Sequence, residues 1–142
     1  MAAYVLVMWL DEDATIQVGA LGKFLFQRGC YEYTGSAVRG MASRVARHMR
    51  CDKRLRWHVD YLTRKARIVA ARCDPGEEAN ECLWSRRLAG LRGAMRFPPG
   101  FGSSDCRCPG HLIYTRSRPP LASLLHALYG VEKTGGGDEY LT

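Results

Sequence analysis

The side chains with the most chemistry in this 142-residue chain are scattered, and spacing groups them. Tyr4 sits in an apolar run near the start, and Tyr33-Thr34-Gly35 closes a second β-prone run. Arg44 and His48 lie four apart, which on a helix makes them neighbours on one face. Glu77, Glu78 and Glu81 follow Pro75-Gly76, where a helix start is expected and the macrodipole favours acids. Phenol, guanidinium, imidazole and carboxylate together can bind an oxyanion, hold a hard cation and move a proton. Each also has a plainer use: strand tyrosines edge cores, arginines coat surfaces, and first-turn glutamates stabilise helix ends.

Charge points to one class of partner. The chain carries 21 Lys and Arg against 14 Asp and Glu, a net charge of +7. Residues 38–72 hold Arg39, Arg44, Arg47, Arg50, Lys53, Arg54, Arg56, Arg64, Lys65, Arg67 and Arg72 against only Asp52 and Asp60, so this quarter nets +9 and the remainder −2. A general arginine bias would spread along the chain, whereas a local pile-up is the footprint of a phosphate backbone. DNA is the expected partner, with RNA or branched DNA as alternatives, and Arg39, Arg47, Arg50, Lys53, Arg54 and Arg56 are the expected contacts.

Composition excludes other classes. Hydrophobic content of 46% and charged content of 25% are those of a globular protein, which rules out wholesale disorder. No apolar run reaches the length of a membrane span. The opening run is short, lacks a basic leader and meets Asp11-Glu12-Asp13, so a soluble cytoplasmic protein with no membrane partner is expected. Oligomeric state is not legible.

Six cysteines stand at 30, 51, 73, 82, 106 and 108. Cys106-Arg107-Cys108-Pro109-Gly110-His111 offers three soft ligands in six residues, with Cys82 or Cys73 as a conceivable fourth. Zinc sites usually present paired Cys-x2–4-Cys hooks, and this match is incomplete. Buried free thiols are the expectation, and zinc is disfavoured.

The elements that must position these residues follow from periodicity. Ala3–Leu10 reads as a strand buried on both faces, with residues 15–18 returning as its partner and 30–34 as a third strand. Residues 38–50 switch to helical spacing with Met41, Val45 and Met49, together with Ala42 and Ala46, as the buried stripe. Residues 57–63 read as a short helical segment or the approach to a strand, 66–71 as a strand, and about 77–91 as a helix. A glycine-rich loop over 97–110, a strand over 111–115 and a helix over 121–129 complete the domain. The expected class is α+β (mixed α/β), a small, mainly antiparallel sheet with helices packed on it. Residues 1–132 form one domain and 133–142 a flexible tail.

Tyr4, the Tyr33-Thr34-Gly35 triplet, the Arg44/His48 helix and the acidic helix start, in this order, resemble the GIY-YIG nuclease superfamily. Gly35-Ser36-Ala37, Arg56-Trp57-His58-Val59-Asp60-Tyr61-Leu62, Glu81-Cys82-Leu83 and Gly100-Phe101-Gly102-Ser103-Ser104-Asp105-Cys106 followed by His111-Leu112 look like its small stand-alone Uri-type endonuclease branch. The resemblance covers roughly residues 2–115. It implies a metal-dependent DNA endonuclease of GIY-YIG-like fold that hydrolyses phosphodiesters.

In that resemblance Tyr4 is the general base or positions the water, Tyr33 hydrogen-bonds alongside, Arg44 grips phosphate and His48 relays a proton or contacts phosphate. Glu81 holds one Mg or Mn ion. These roles suit the side chains, because a planar fork binds phosphate oxygens and a lone carboxylate with waters suits magnesium. His58, Asp60, Asp105 and His111 are accessory candidates, for which pairing, capping or loop-stitching is the favoured reading. Two features depart from the superfamily pattern: Ala2 replaces a motif glycine, and 28 residues separate Tyr4 from Tyr33, enough for an extra hairpin. The alternative is a non-cleaving nucleic-acid-binding module of the same fold, accessory to DNA repair.

Overall fold

Alternation in the first apolar run decides the architecture. In β1 (Ala3–Leu10), Tyr4, Leu6, Met8 and Leu10 point to one face and Ala3, Val5 and Val7 to the other, and all seven are buried. A strand buried on both faces must be central and covered twice. The computed structural model describes residues 2–36, 41–49, 57–76, 79–103, 106–130 and 138–141, and in them β1 is that centre.

The remaining strands are β2 (Ala14–Val18), β3 (Gly22–Phe26), β4 (Gly29–Ser36), β5 (Arg67–Asp74), β6 (Met95–Arg96), β7 (Leu112–Thr115) and β8 (Asp138–Leu141). Six of the strands form one antiparallel sheet in the order β6-β7-β4-β1-β5-β8. The helices are α1 (Met41–Met49), α2 (His58–Thr63), α3 (Glu81–Leu88) and α4 (Leu121–Tyr129). One face of the sheet is covered by Val45 of α1, Val59 and Leu62 of α2, and Ile16, Val18 and Phe26 of the β2–β3 hairpin. The other is covered by Trp84 and Leu88 of α3 and Leu124 and Leu128 of α4. Each such side chain contributes about 1.5–3 kcal/mol by leaving water. The fold is therefore α+β, an antiparallel sheet between two helical layers. Among the described residues no helix is long and apolar enough to cross a membrane.

Three expectations need correction. Residues 15–18 do not pair with β1. Both edges of β1 are taken by the longer strands β4 and β5, so β2 pairs with β3 as a separate hairpin that packs on α2. This hairpin accounts for the long interval between the two tyrosines. The buried side of α1 is also turned from the expected stripe: Val45 and His48 are buried, whereas Ala46 is exposed and Met49 is 45% exposed. A polar residue takes the inner position because a partner waits there for its ring. Finally, the expected tail contains β8, an edge strand paired antiparallel with β5 from Ala70↔Leu141 to Cys73↔Asp138. Short edge strands carry little sequence signal of their own.

Candidate active site

The end of the sheet where β1 begins and β4 finishes opens into a cleft of about 270 Å³, lined by Tyr4, Tyr33, Arg44 and Glu81 together with Trp57 and His58. Tyr4 and Tyr33 share a face because the β1–β4 register sets Tyr4 opposite Gly35 and Leu6 opposite Tyr33. Their ring centroids lie 6.3 Å apart. Gly35 is needed for contact, since a Cβ there would collide with the ring and hydroxyl of Tyr4. Ala2 raises no comparable difficulty: no described non-glycine residue has positive φ, so its backbone is unstrained.

Behind Tyr4 runs a polar chain. Its hydroxyl is hydrogen-bonded to His48 Nε2 at 2.8 Å, with both residues buried. His48 Nδ1 stands 4.0 Å from Asp60 Oδ1. That carboxylate, fully buried, accepts from Arg47 at 2.9 and 3.2 Å and from the Trp57 backbone N–H at 2.8 Å. The nearby carboxylate favours the proton on Nδ1, which leaves Nε2 to accept from Tyr4. Burial pushes the Tyr4 and Tyr33 phenols well above their usual range, and Arg44 partly opposes this. A free phenolate at Tyr4 is therefore costly.

Arg44 enters from α1, donating to the Ser36 carbonyl at 2.7 Å and stacking on Trp57 with its guanidinium carbon 4.9 Å from the ring centroid. Arg47 stacks on the same indole at 4.3 Å. Sequence reading gave Trp57 no role, although it sits between two such arginines. His58 Nδ1 accepts from the Gly102 N–H at 2.8 Å, and burial lowers its imidazole pKa, as suits an acceptor ring.

Glu81 opens α3, whose N-cap Asn80 accepts from Leu83 N at 3.0 Å. The body of α3 lies on the sheet face opposite α1, but this first residue reaches the cleft at the end of β4. There Ser36 Oγ donates to Glu81 Oε1 at 3.3 Å. The carboxylate is 29% exposed, a hard oxygen donor with room for water, which fits a magnesium-type ion. On its other side Oε2 lies 3.5 Å from His111 Nδ1.

His111 faces two ways. Nδ1 meets the Thr34 carbonyl at 3.2 Å and Thr34 Oγ1 at 3.1 Å, while Nε2 meets Cys106 Sγ at 3.1 Å and Cys82 Sγ at 3.7 Å. With Cys108, the ligand atoms of these residues all lie within 4.8 Å of one another, a set able to hold a metal ion. The thiols are free, as expected, with Cys82, Cys106 and Cys108 half-buried; what was not expected is that they gather round one histidine as a possible metal-binding cluster, where zinc had been disfavoured. The missing hook comes from the first turn of α3, remote in sequence, and Cys82 rather than Cys73 supplies it. Cys73 is buried in the core on the Tyr4 side.

The other expected residues divide. Asp60, for which pairing or capping was favoured, does both, accepting from Arg47 and from the Trp57 N–H, and His111, for which loop-stitching was favoured, lies beside Glu81. Arg47, expected on a phosphate backbone, is committed to Asp60 and Trp57. Within the basic segment Arg64 and Lys65 are exposed, Arg67 pairs with Asp11 at 2.7 Å, and Arg72 is buried beside Tyr129. The segment is thus not one uniform face. Arg39, Arg50, Lys53, Arg54, Arg56 and Asp105 lie outside the described residues, as do Glu77 and Glu78.

The profile of a family described as a domain of unknown function, DUF123, matches residues 3–132. Comparison with curated proteins and with solved structures finds no match.

Proposed function

The chain belongs to the DUF123 family of domains of unknown function, and we propose that it is a divalent-metal-dependent endonuclease that hydrolyses DNA phosphodiester bonds. One observation carries the reading: Tyr4, Tyr33, Arg44 and Glu81, from four different elements, line a single cleft. The resemblance of the motif strings to Uri-type endonucleases supports it, as does the basic character of residues 38–72.

The chemistry assigns each group a task. Arg44 presents a guanidinium that cannot lose its charge to the phosphate oxygens, and stacking on Trp57 holds its plane. Tyr4 takes the proton of the attacking water while passing its own to His48 Nε2 along the 2.8 Å hydrogen bond. The imidazolium so formed is stabilised by Asp60, itself held by Arg47. Water oxygen bonds to phosphorus, the bond to the leaving oxygen breaks, and that oxygen takes a proton from solvent. Tyr33 packs beside Tyr4. Glu81 would hold one magnesium or manganese ion, which when bound neutralises charge on the phosphate.

The test is metal-dependent nicking of a supercoiled plasmid. The parent should nick with magnesium, and Glu81→Gln should bind DNA but not cut. Arg44→Lys should slow cutting at least about a hundredfold, because charge without the fork is insufficient. The burial of Tyr4 and Tyr33, 2% and 8% exposed, favours a second reading, a nucleic-acid-binding module that does not cleave. DNA binding by the parent without nicking under any divalent metal would install that reading.

A further inference from the structure

We infer that Cys82, Cys106, Cys108 and His111 form a structural zinc site that clamps the 97–111 loop onto the first turn of α3. The loop is tied internally by the Gly100 N–H on the Pro109 carbonyl at 2.8 Å and the His111 N–H on the Phe101 carbonyl at 2.7 Å, and it meets α3 where Ser85 Oγ donates to the Gly110 carbonyl at 2.6 Å. Phe101 is its buried apolar anchor, and its path bends through Gly100, Gly102 and Gly110 at positive φ. This loop contributes Gly102 and Cys106 to the wall of the cleft, so its position matters.

Distances fit the ion. Zinc with bonds of about 2.3 Å to sulfur and 2.0–2.1 Å to nitrogen needs S···S near 3.8 Å and S···N near 3.6 Å in a tetrahedron. The Sγ–Nε2 separations of 3.1 and 3.7 Å bracket the second value, and no pair in the set exceeds 4.8 Å. Four protein ligands leave no open position, which marks a structural rather than a catalytic site.

The hydrogen bonds around His111 supply an independent argument. Thr34 Oγ1 spends its proton on the Glu81 carbonyl at 3.1 Å, and the Thr34 carbonyl can only accept. Both therefore require a proton on His111 Nδ1, so the lone pair of the neutral ring is on Nε2, the atom facing the thiols. A histidine oriented through its other nitrogen by a backbone carbonyl is the usual outer-shell arrangement of a metal ligand. The same Nδ1–H lies 3.5 Å from Glu81 Oε2, so the zinc site would also position that carboxylate. Zinc binding itself does not depend on the nuclease reading.

The experiment begins with protein expressed in zinc-supplemented medium, purified with a phosphine reductant and no chelator, and desalted by gel filtration. Elemental analysis should find close to one zinc per chain. Cobalt added to the reduced apoprotein should give thiolate-to-cobalt charge transfer and the intense visible bands of tetrahedral coordination. Thr34→Val should weaken metal affinity roughly 10–100-fold by loosening the His111 orientation. Glu81→Gln should leave zinc stoichiometry unchanged, whether or not the parent cuts DNA. Cys82→Ser should lose the metal, and if that variant fails to fold, the cobalt spectrum of the parent decides. Zinc stripped by gel filtration, a weak octahedral cobalt spectrum, or an intact non-reduced mass two hydrogens short from a disulfide would each overturn the site.

Discussion

Removing one oxygen atom separates a catalytic Tyr4 from a structural one. Tyr4→Phe keeps the ring that packs over Gly35 and deletes the hydroxyl 2.8 Å from His48 Nε2. The imidazole nitrogen is then buried without that bond, which costs about 1–3 kcal/mol. For a domain of this size the melting temperature should fall by roughly 3–4 °C per kcal/mol. Activity should respond on a different scale. If the hydroxyl carries the proton of the attacking water, cleavage falls about 10²–10⁴-fold in a variant that remains folded at the assay temperature.

His48→Gln completes the cycle. Glutamine can still hydrogen-bond Tyr4 but cannot take up a proton, so its rate should drop as far as that of Tyr4→Phe with a smaller loss of stability. Residues that act as one unit are not additive, so Tyr4→Phe with His48→Gln should cut scarcely slower than either single variant. A hundredfold single effect then implies a coupling of about 2.7 kcal/mol in the barrier. Single-turnover nicking with saturating magnesium measures all four corners. Rate losses that multiply, or a Tyr4→Phe protein that melts early yet nicks at the parental rate, would refute the relay.

Three further outcomes follow from the packing. Arg47→Gln removes the ion pair of the fully buried Asp60, and with Arg47 itself 23% exposed the loss should be about 1–3 kcal/mol, read as a lowered melting temperature rather than a changed salt dependence of DNA binding. Gly35→Ala places a methyl against the Tyr4 ring and should cost about 1–3 kcal/mol by overpacking, read as a lowered melting temperature with loss of nicking. Glu32, buried on β4 with Thr115 donating to Oε1 at 2.9 Å, has its pKa raised from 4.5 to about 8 by burial. It stays protonated in the folded chain where the unfolded chain has already ionised, so stability should fall as pH rises from 4.5 toward 8 and then level off. Glu32→Gln should flatten that slope in melts taken across the range, and an equal slope in both proteins would show that Glu32 is not its source.

What could be read ahead of the structure depended on how local the information was. Ala3–Leu10 declares itself by an unbroken apolar run, and Leu121–Tyr129 by helical spacing after two prolines; both elements form with those bounds. The Arg44/His48 pairing follows from helix geometry alone. The inward turn of α1 does not, because it is decided by Tyr4, 44 residues before His48. Asp60 illustrates the same limit: beside His58 it reads as a local cap, yet it also receives Arg47 from another helix. Cys82 is the sharpest case. It stands 24 residues before Cys106, and nothing in that interval marks the two as neighbours. Only the β4–β7 pairing, which sets Tyr33 opposite Leu112, carries His111 and its loop back to Thr34 and to the first turn of α3. The tyrosines, the arginine and the glutamate are legible as types in order, while the residues that orient them come from strand register and inter-helix contact. The side chains behind the cleft, Asp60 and His111, are therefore where geometry adds most to the sequence, and both lie in direct contact with residues the proposed chemistry uses.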